Sequence, residues 1–108
     1  MPQRVYNLYV IELDPEVLEE RRFSAANPDR RDDKPCVYVG STALTPEERF
    51  EQHRAGHKAN RFVFRYGLKL RPRLYRSHQD YPTRAIAERE EERLALRLRK
   101  RGYSVWQG

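Results

Sequence analysis

Two runs in this chain are apolar at odd and even positions alike: residues 4–13, RVYNLYVIEL, and residues 36–40, CVYVG. A strand sends alternate side chains to opposite faces, so a run that is apolar on both parities belongs to a strand covered on both sides. The first run is expected to be central, and a sheet covered on both sides needs helices packed against it. A chain of 108 residues has room for a single core. The expectation is therefore one domain spanning residues 1–108.

The remaining segments supply those helices. Asp14 and Pro15 have the form of a cap and first-turn proline, predicting a short helix over residues 16–23, and the Pro-, Asp- and Arg-rich residues 24–35 are read as an exposed loop, so that residues 14–35 form an insertion between the first two strands. Thr45-Pro46-Glu47-Glu48 combines an N-cap threonine, a first-position proline and a third-position glutamate, a capping box that opens a helix running to Ala55 and stopped by Gly56. Residues 59–66 are predicted as another short helix ended by Gly67, and residues 68–76 alternate around Pro72 like an edge strand. Residues 82–101, dense in Ala, Leu, Glu and Arg and followed by Gly102, give the longest helix, with residues 103–106 able to close the chain as a last strand. The fold class expected is α/β (α+β), a small three-stranded sheet flanked by helices.

No apolar run approaches the roughly 20 residues of a membrane span, and the first residues lack a charged stretch followed by an apolar one, so a cytoplasmic protein with no membrane partner is expected. Cys36 is the only cysteine, which excludes an internal disulfide and a cysteine-based zinc cage. Net charge is +6, and the excess is unevenly placed. Between Glu51 and Asp80 there is no acidic residue, while Arg54, Lys58, Arg61, Arg65, Lys69, Arg71, Arg73 and Arg76 fall in that gap, interleaved with Phe62, Phe64, Tyr66 and Tyr75. Such a stretch suits phosphate contacts and base stacking; it also suits an ordinary solvated basic face whose aromatics turn into the core.

Each of the two strongest strands carries a tyrosine, Tyr9 and Tyr38, and the capped helix places Arg49 and His53 four residues apart on one face. The long helix carries Glu88, Glu90, Glu91 and Glu92. His53 and His57 have the spacing of a metal pair, but Gly56 interrupts the helix and no third ligand is evident.

In the order Asn7-Leu8-Tyr9, Tyr38-Val39-Gly40, Arg49 to His53, and a glutamate three residues before Leu94, the chain resembles the GIY-YIG nuclease family over nearly its whole length. It departs in having Asn7-Leu8 for Gly-Ile, a long connection between the two motifs where the family has a tight hairpin, and no asparagine after Asn60. The resemblance implies a metal-dependent endonuclease with Tyr9 or Tyr38 as base or phosphate ligand, Arg49 as phosphate clamp and His53 helping in positioning or proton transfer. Gly40, Ser41, Arg54, Lys58, Arg61, Arg65 and Arg73 are the candidate substrate contacts. The implied cofactor is Mg2+ or Mn2+ and the implied partner nucleic acid, DNA ahead of RNA, with cutting specificity coming from this domain or from a protein partner. The rival readings are a nucleic-acid-binding module of the same fold that has lost cutting, and a structural or toxin-like protein whose basic stretch meets an acidic partner.

Among the glutamates the helical wheel selects Glu91 as the metal ligand. Ala87, Leu94 and Leu98 form one stripe, and Glu91 lies about 40° from its centre, Glu90 about 60°, with Glu88 and Glu92 beyond about 90°. Only Glu91 is then both near the core and at its rim, where an unpaired carboxylate is costly and a cation relieves it. The alternative is a rim glutamate paired with Arg49 or another arginine.

Overall fold

The computed structural model describes residues 4–108. Its four strands, β1 (Asn7–Leu13), β2 (Cys36–Thr42), β3 (Gly67–Leu70) and β4 (Ser104–Gln107), form one mixed sheet in the order β3-β1-β2-β4. The sheet thus has four strands where three were expected. β1 pairs antiparallel with both β2 and β3, and β2 pairs parallel with β4. The central position of β1 follows from its composition: Leu8 and Val10 on one face are as fully buried as Tyr9 and Ile11 on the other. Val37, Val39 and Val105 continue that double-sided core.

Residues 103–106, read as able to close the chain as a last strand, do so as β4, although SVWQ is too short to show a period that would place it in the sheet. A side chain fixes it in place. Asn27, 2% exposed, accepts the Val105 N–H at 2.8 Å and donates to the Val105 carbonyl at 3.0 Å. These are the outward-facing groups of an edge strand; the carbonyl also accepts from Arg99 at 2.9 Å, while the N–H has Asn27 as its partner. Residues 24–35 are thus not wholly an exposed loop: Asn27 within them is a buried clamp on β4.

The helix expected over residues 16–23 is split. Asp14 Oδ1 accepts the Glu16 N–H, and Pro15 opens a single-turn 3-10 helix over Pro15–Glu19. Glu20 is extended, and α1 (Arg21–Ala25) begins after it. The capping box of α2 (Pro46–Arg54) forms as its sequence requires, Thr45 accepting from the Glu48 N–H and Glu48 from the Thr45 N–H. Asn60 caps α3 (Arg61–Tyr66), whose buried residues are Phe62 and Val63. The predicted edge strand over residues 68–76 ends early, since Pro72 has no N–H to donate and starts a 3-10 turn, Pro72–Leu74. α4 (Arg84–Lys100), capped by Thr83, stops at Gly102, whose φ of +94° suits glycine. Among the described residues no helix is long and apolar enough to cross a membrane.

α2 and α3 pack against β1 and β3, and α4 lies along β2 and β4. One end of β1 and β2 is thereby placed between α2 and α4.

Candidate functional site

Register explains how the two tyrosines meet. Tyr9 lies opposite Gly40 and Ile11 opposite Tyr38, so Tyr9 and Tyr38 share one face of the sheet on a diagonal. Their ring centroids are 6.1 Å apart, and a side chain at position 40 would stand between them: a Cβ there would lie 2.6 Å from the Tyr9 hydroxyl and 3.0 Å from the Tyr38 ring. Glycine is required because the rings occupy that space.

α2 lays His53 over this pair, with its ring 5.8 Å from that of Tyr9 and 5.6 Å from that of Tyr38. The Asn60 N–H donates to His53 Nδ1 at 3.2 Å. Burial, with the Arg49 charge adding to it, lowers the imidazole to about 4, so the ring is neutral near pH 7. Its one proton is then on Nε2, which donates to the Tyr9 hydroxyl at 2.9 Å. The Tyr9 proton is left free to point elsewhere. Both imidazole nitrogens are engaged inside the protein, which removes His53 from any metal pair with His57.

Burial pushes the Tyr9 and Tyr38 phenols above their ordinary value, Tyr9 far above it. The Tyr9 hydroxyl offsets part of the rise at Tyr38, Glu91 adds to it, and Arg49 works against the rise at both phenols.

Arg49 reaches the cluster from α2, but its fork is engaged: Nη1 donates to Gln52 Oε1 and the His57 carbonyl, and Nη2 to the Lys58 carbonyl at 2.8 Å. It ties down the turn after α2 while presenting its charge to the phenols.

Glu91 comes from α4 and is 3% exposed. Its Oε2 accepts the Gln107 amide at 2.8 Å. Burial raises its carboxyl above the usual range, Gln107 and Ser41 offset part of that rise, and Glu88 adds to it. Among the described residues no Lys, Arg or His forms an ion pair with Glu91, so the arginine-paired alternative is not what the structure contains.

Tyr9, Tyr38, Gly40, Ser41, Arg49 and Glu91 line one open cavity of about 590 Å³, with Arg84, Glu88, Arg89, Glu92, Gln107 and Gly108 completing its wall, while His53 is fully buried behind Tyr9 and does not line it. Glu88 and Glu92, which the helical wheel turned away, lie on its rim because the cavity is wide enough to take in neighbouring turns of α4. Arg84, Arg89 and Gln107 were missed. The first two carry no signal beyond helical spacing from Glu88 and Glu92, and Gln107 arrives only through the parallel pairing of β4 with β2.

The basic residues proposed as substrate contacts lie elsewhere. Arg54, Lys58, Arg61, Arg65 and Arg73 are all exposed, and none lines this cavity. The inward positions of α3 are taken by Phe62 and Val63, which turns Arg61 and Arg65 to the outside. The acid-free stretch is also not acid-free in space: Arg61 and Arg65 pair with Glu20, Arg71 with Glu12 and Arg54 with Glu51.

Among the described residues no group of three or more His, Cys, Asp or Glu is placed to hold a metal. The donors at the cavity are the buried carboxylate of Glu91 and the exposed Glu88 and Glu92. That set suits a cation such as Mg2+, which commonly takes one or two carboxylates and keeps several waters.

No protein-family model matches the chain, and no curated protein or solved structure is significantly similar to it.

Proposed function

We propose that the chain is a divalent-metal-dependent nuclease of GIY-YIG type that hydrolyses phosphodiester bonds in the cavity between β1, β2, α2 and α4. One observation carries the reading: four elements bring two phenols, a guanidinium and a buried carboxylate without a cationic partner to the same open, polar cavity. A carboxylate so placed is costly unless a cation completes it.

Hydrolysis needs a base for water, charge to oppose the phosphate oxygens and a stabiliser for the leaving oxygen. One phenol of the Tyr9–Tyr38 pair, its own proton given up to solvent, is the base in this reading, and the Arg49 charge beside both favours the ionised form. The His53 Nε2–H donates to the Tyr9 oxygen and stabilises negative charge that develops there. Arg49 adds positive charge beside both phenols. Arg84 and Arg89 receive the flanking phosphates. Glu91, oriented by Gln107, is the residue that would hold Mg2+ or Mn2+, which when bound neutralises phosphate charge and stabilises the leaving oxygen. DNA is favoured over RNA as substrate, and a protein partner is one source of specificity.

The test is incubation of purified protein with single-stranded, duplex and branched DNA and RNA in Mg2+, Mn2+ or chelator. Metal-dependent cleavage lost in Glu91→Gln supports the reading; no cleavage of any substrate with either metal overturns it. The second reading, a binding module without cutting, is favoured by the engagement of both Arg49 terminal nitrogens with protein oxygens, and it predicts binding without cleavage in the same experiment.

A further inference from the structure

Of the four aromatics in the basic stretch, three turn inward or lie partly covered, and Phe64 does not. It is 61% exposed on α3, beside a concavity of about 530 Å³ lined by Gly56, Ala59, Arg61, Phe64 and Arg65. The small side of this hollow is Gly56, held at φ +80°, where a Cβ would come within 3.4 Å of the Phe64 ring. The ring rests on a backbone turn that adds no side chain above it. Neighbouring arginines stack on other rings, Arg54 on Phe50, Arg61 on Phe62 and Arg65 on Tyr66. None of the cations stacked on aromatic rings among the described residues covers Phe64.

We propose that Phe64 is a stacking platform for one unpaired base of a nucleic-acid strand, with Arg61 and Arg65 on the adjoining phosphates. The inference rests on the nucleic-acid part of the proposed function but not on cutting. Charge complementarity selects this occupant. Arg61 and Arg65, three residues before and one after Phe64, share a single carboxylate, Glu20, at 3.0 and 3.6 Å, so the pair keeps a net positive charge while both side chains stay about two-thirds exposed. A flat apolar face flanked by exposed guanidiniums matches a base between two phosphates. A second copy of this chain would bring +6 against +6, which opposes self-association at the same patch.

The test is binding of a fluorescent oligothymidylate and of a blunt duplex of equal length, in chelator so that nothing is cut, across a salt series. Phe64→Ala is expected to weaken single-strand binding about tenfold, the contribution of one stacked base, and to leave the duplex affinity and the salt slope of both unchanged. Phe64→Trp is expected to restore or strengthen single-strand binding. Metal-dependent cleavage of duplex, assayed separately, should be unaffected by Phe64→Ala, so failure of the nuclease reading and failure of the platform are read in different experiments. Equal loss on both nucleic acids, or no loss on the single strand, overturns the platform. So does a change in sedimentation mass or in capture of an acidic peptide with oligonucleotide affinity intact, which would make the face a protein-docking surface.

Discussion

His53 Nε2 lies 2.9 Å from the Tyr9 hydroxyl, and the same ring accepts the Asn60 N–H on Nδ1 at 3.2 Å. The histidine is held in one tautomer between the turn before α3 and the tyrosine of β1. It cannot take a proton without losing the Asn60 bond.

That arrangement has a consequence for stability. The unfolded ring binds a proton near 6.5 and the folded ring near 4, so between those values the unfolded chain holds more protons. The stability contributed by the neutral ring is fully present above about pH 6.5 and is lost as pH falls toward 4. Chemical-denaturation midpoints should drop across this window in the parent protein, and more gently in His53→Gln. The raised Glu91 carboxyl acts in the opposite sense and is common to both proteins. Parallel pH profiles in the two would show that His53 does not titrate as described.

Gly40→Ala should be disproportionately harmful for one methyl group. The added Cβ would lie 2.6 Å from the far end of Tyr9, which is 1% exposed and has no room to swing away. Overpacking of this kind costs about 1–3 kcal/mol, and displacing the hydroxyl should lower any cleavage at least tenfold. Thermal unfolding with kinetics at a temperature where the variant stays folded separates the two effects. Parent-like cleavage would mean that the Tyr9 position is not needed.

Glu91→Gln should unfold at the same temperature or higher, because it removes a buried charge and keeps an oxygen for Gln107. Metal-dependent cleavage should vanish while nucleic-acid binding persists. Glu88→Gln and Glu92→Gln, both on exposed rim positions, should cut within a few-fold of the parent. Undiminished cutting by Glu91→Gln would detach the metal from this residue.

Arg49→Lys keeps a charge but loses the fork that spans Gln52 and the His57 and Lys58 carbonyls. A point charge cannot hold that turn and face two phenols at once. The expected outcome is a folded protein, by circular dichroism, with most cleavage lost. Wild-type rates would reduce Arg49 to a surface charge.

Arg84 and Arg89 line the cavity and form no ion pair among the described residues, whereas Arg61 and Arg65 share Glu20. Replacing Arg84 and Arg89 together by Ala should reduce the salt slope of nucleic-acid binding by about two, near 0.9 for each phosphate no longer neutralised. The triple change of Arg61, Arg65 and Arg73 to Ala should flatten the slope as well, by less per residue. A slope untouched by the Arg84/Arg89 pair would move the phosphate path out of the cavity.

The sequence by itself determined the elements whose physics is local. β1 and β2 follow from apolar runs on both parities, α2 from the Thr45–Glu48 capping box, and α4 from helix-forming composition ended by Gly102. The resemblance to the GIY-YIG family singled out Tyr9, Tyr38, Arg49 and His53, and helical spacing selected Glu91 among the glutamates of α4. Only the tertiary structure decided the rest. The parallel place of β4 beside β2 depends on Asn27, 78 residues away from Val105 in the chain. The Gln107 bond to Glu91, the cavity-lining positions of Arg84 and Arg89 and the pairing of Arg61 and Arg65 with Glu20 are long-range in the same sense. So is the tautomer of His53, fixed by a backbone N–H seven residues on across a turn. Periodicity records which way a residue faces along its own element; which partner it then meets depends on how the elements pack.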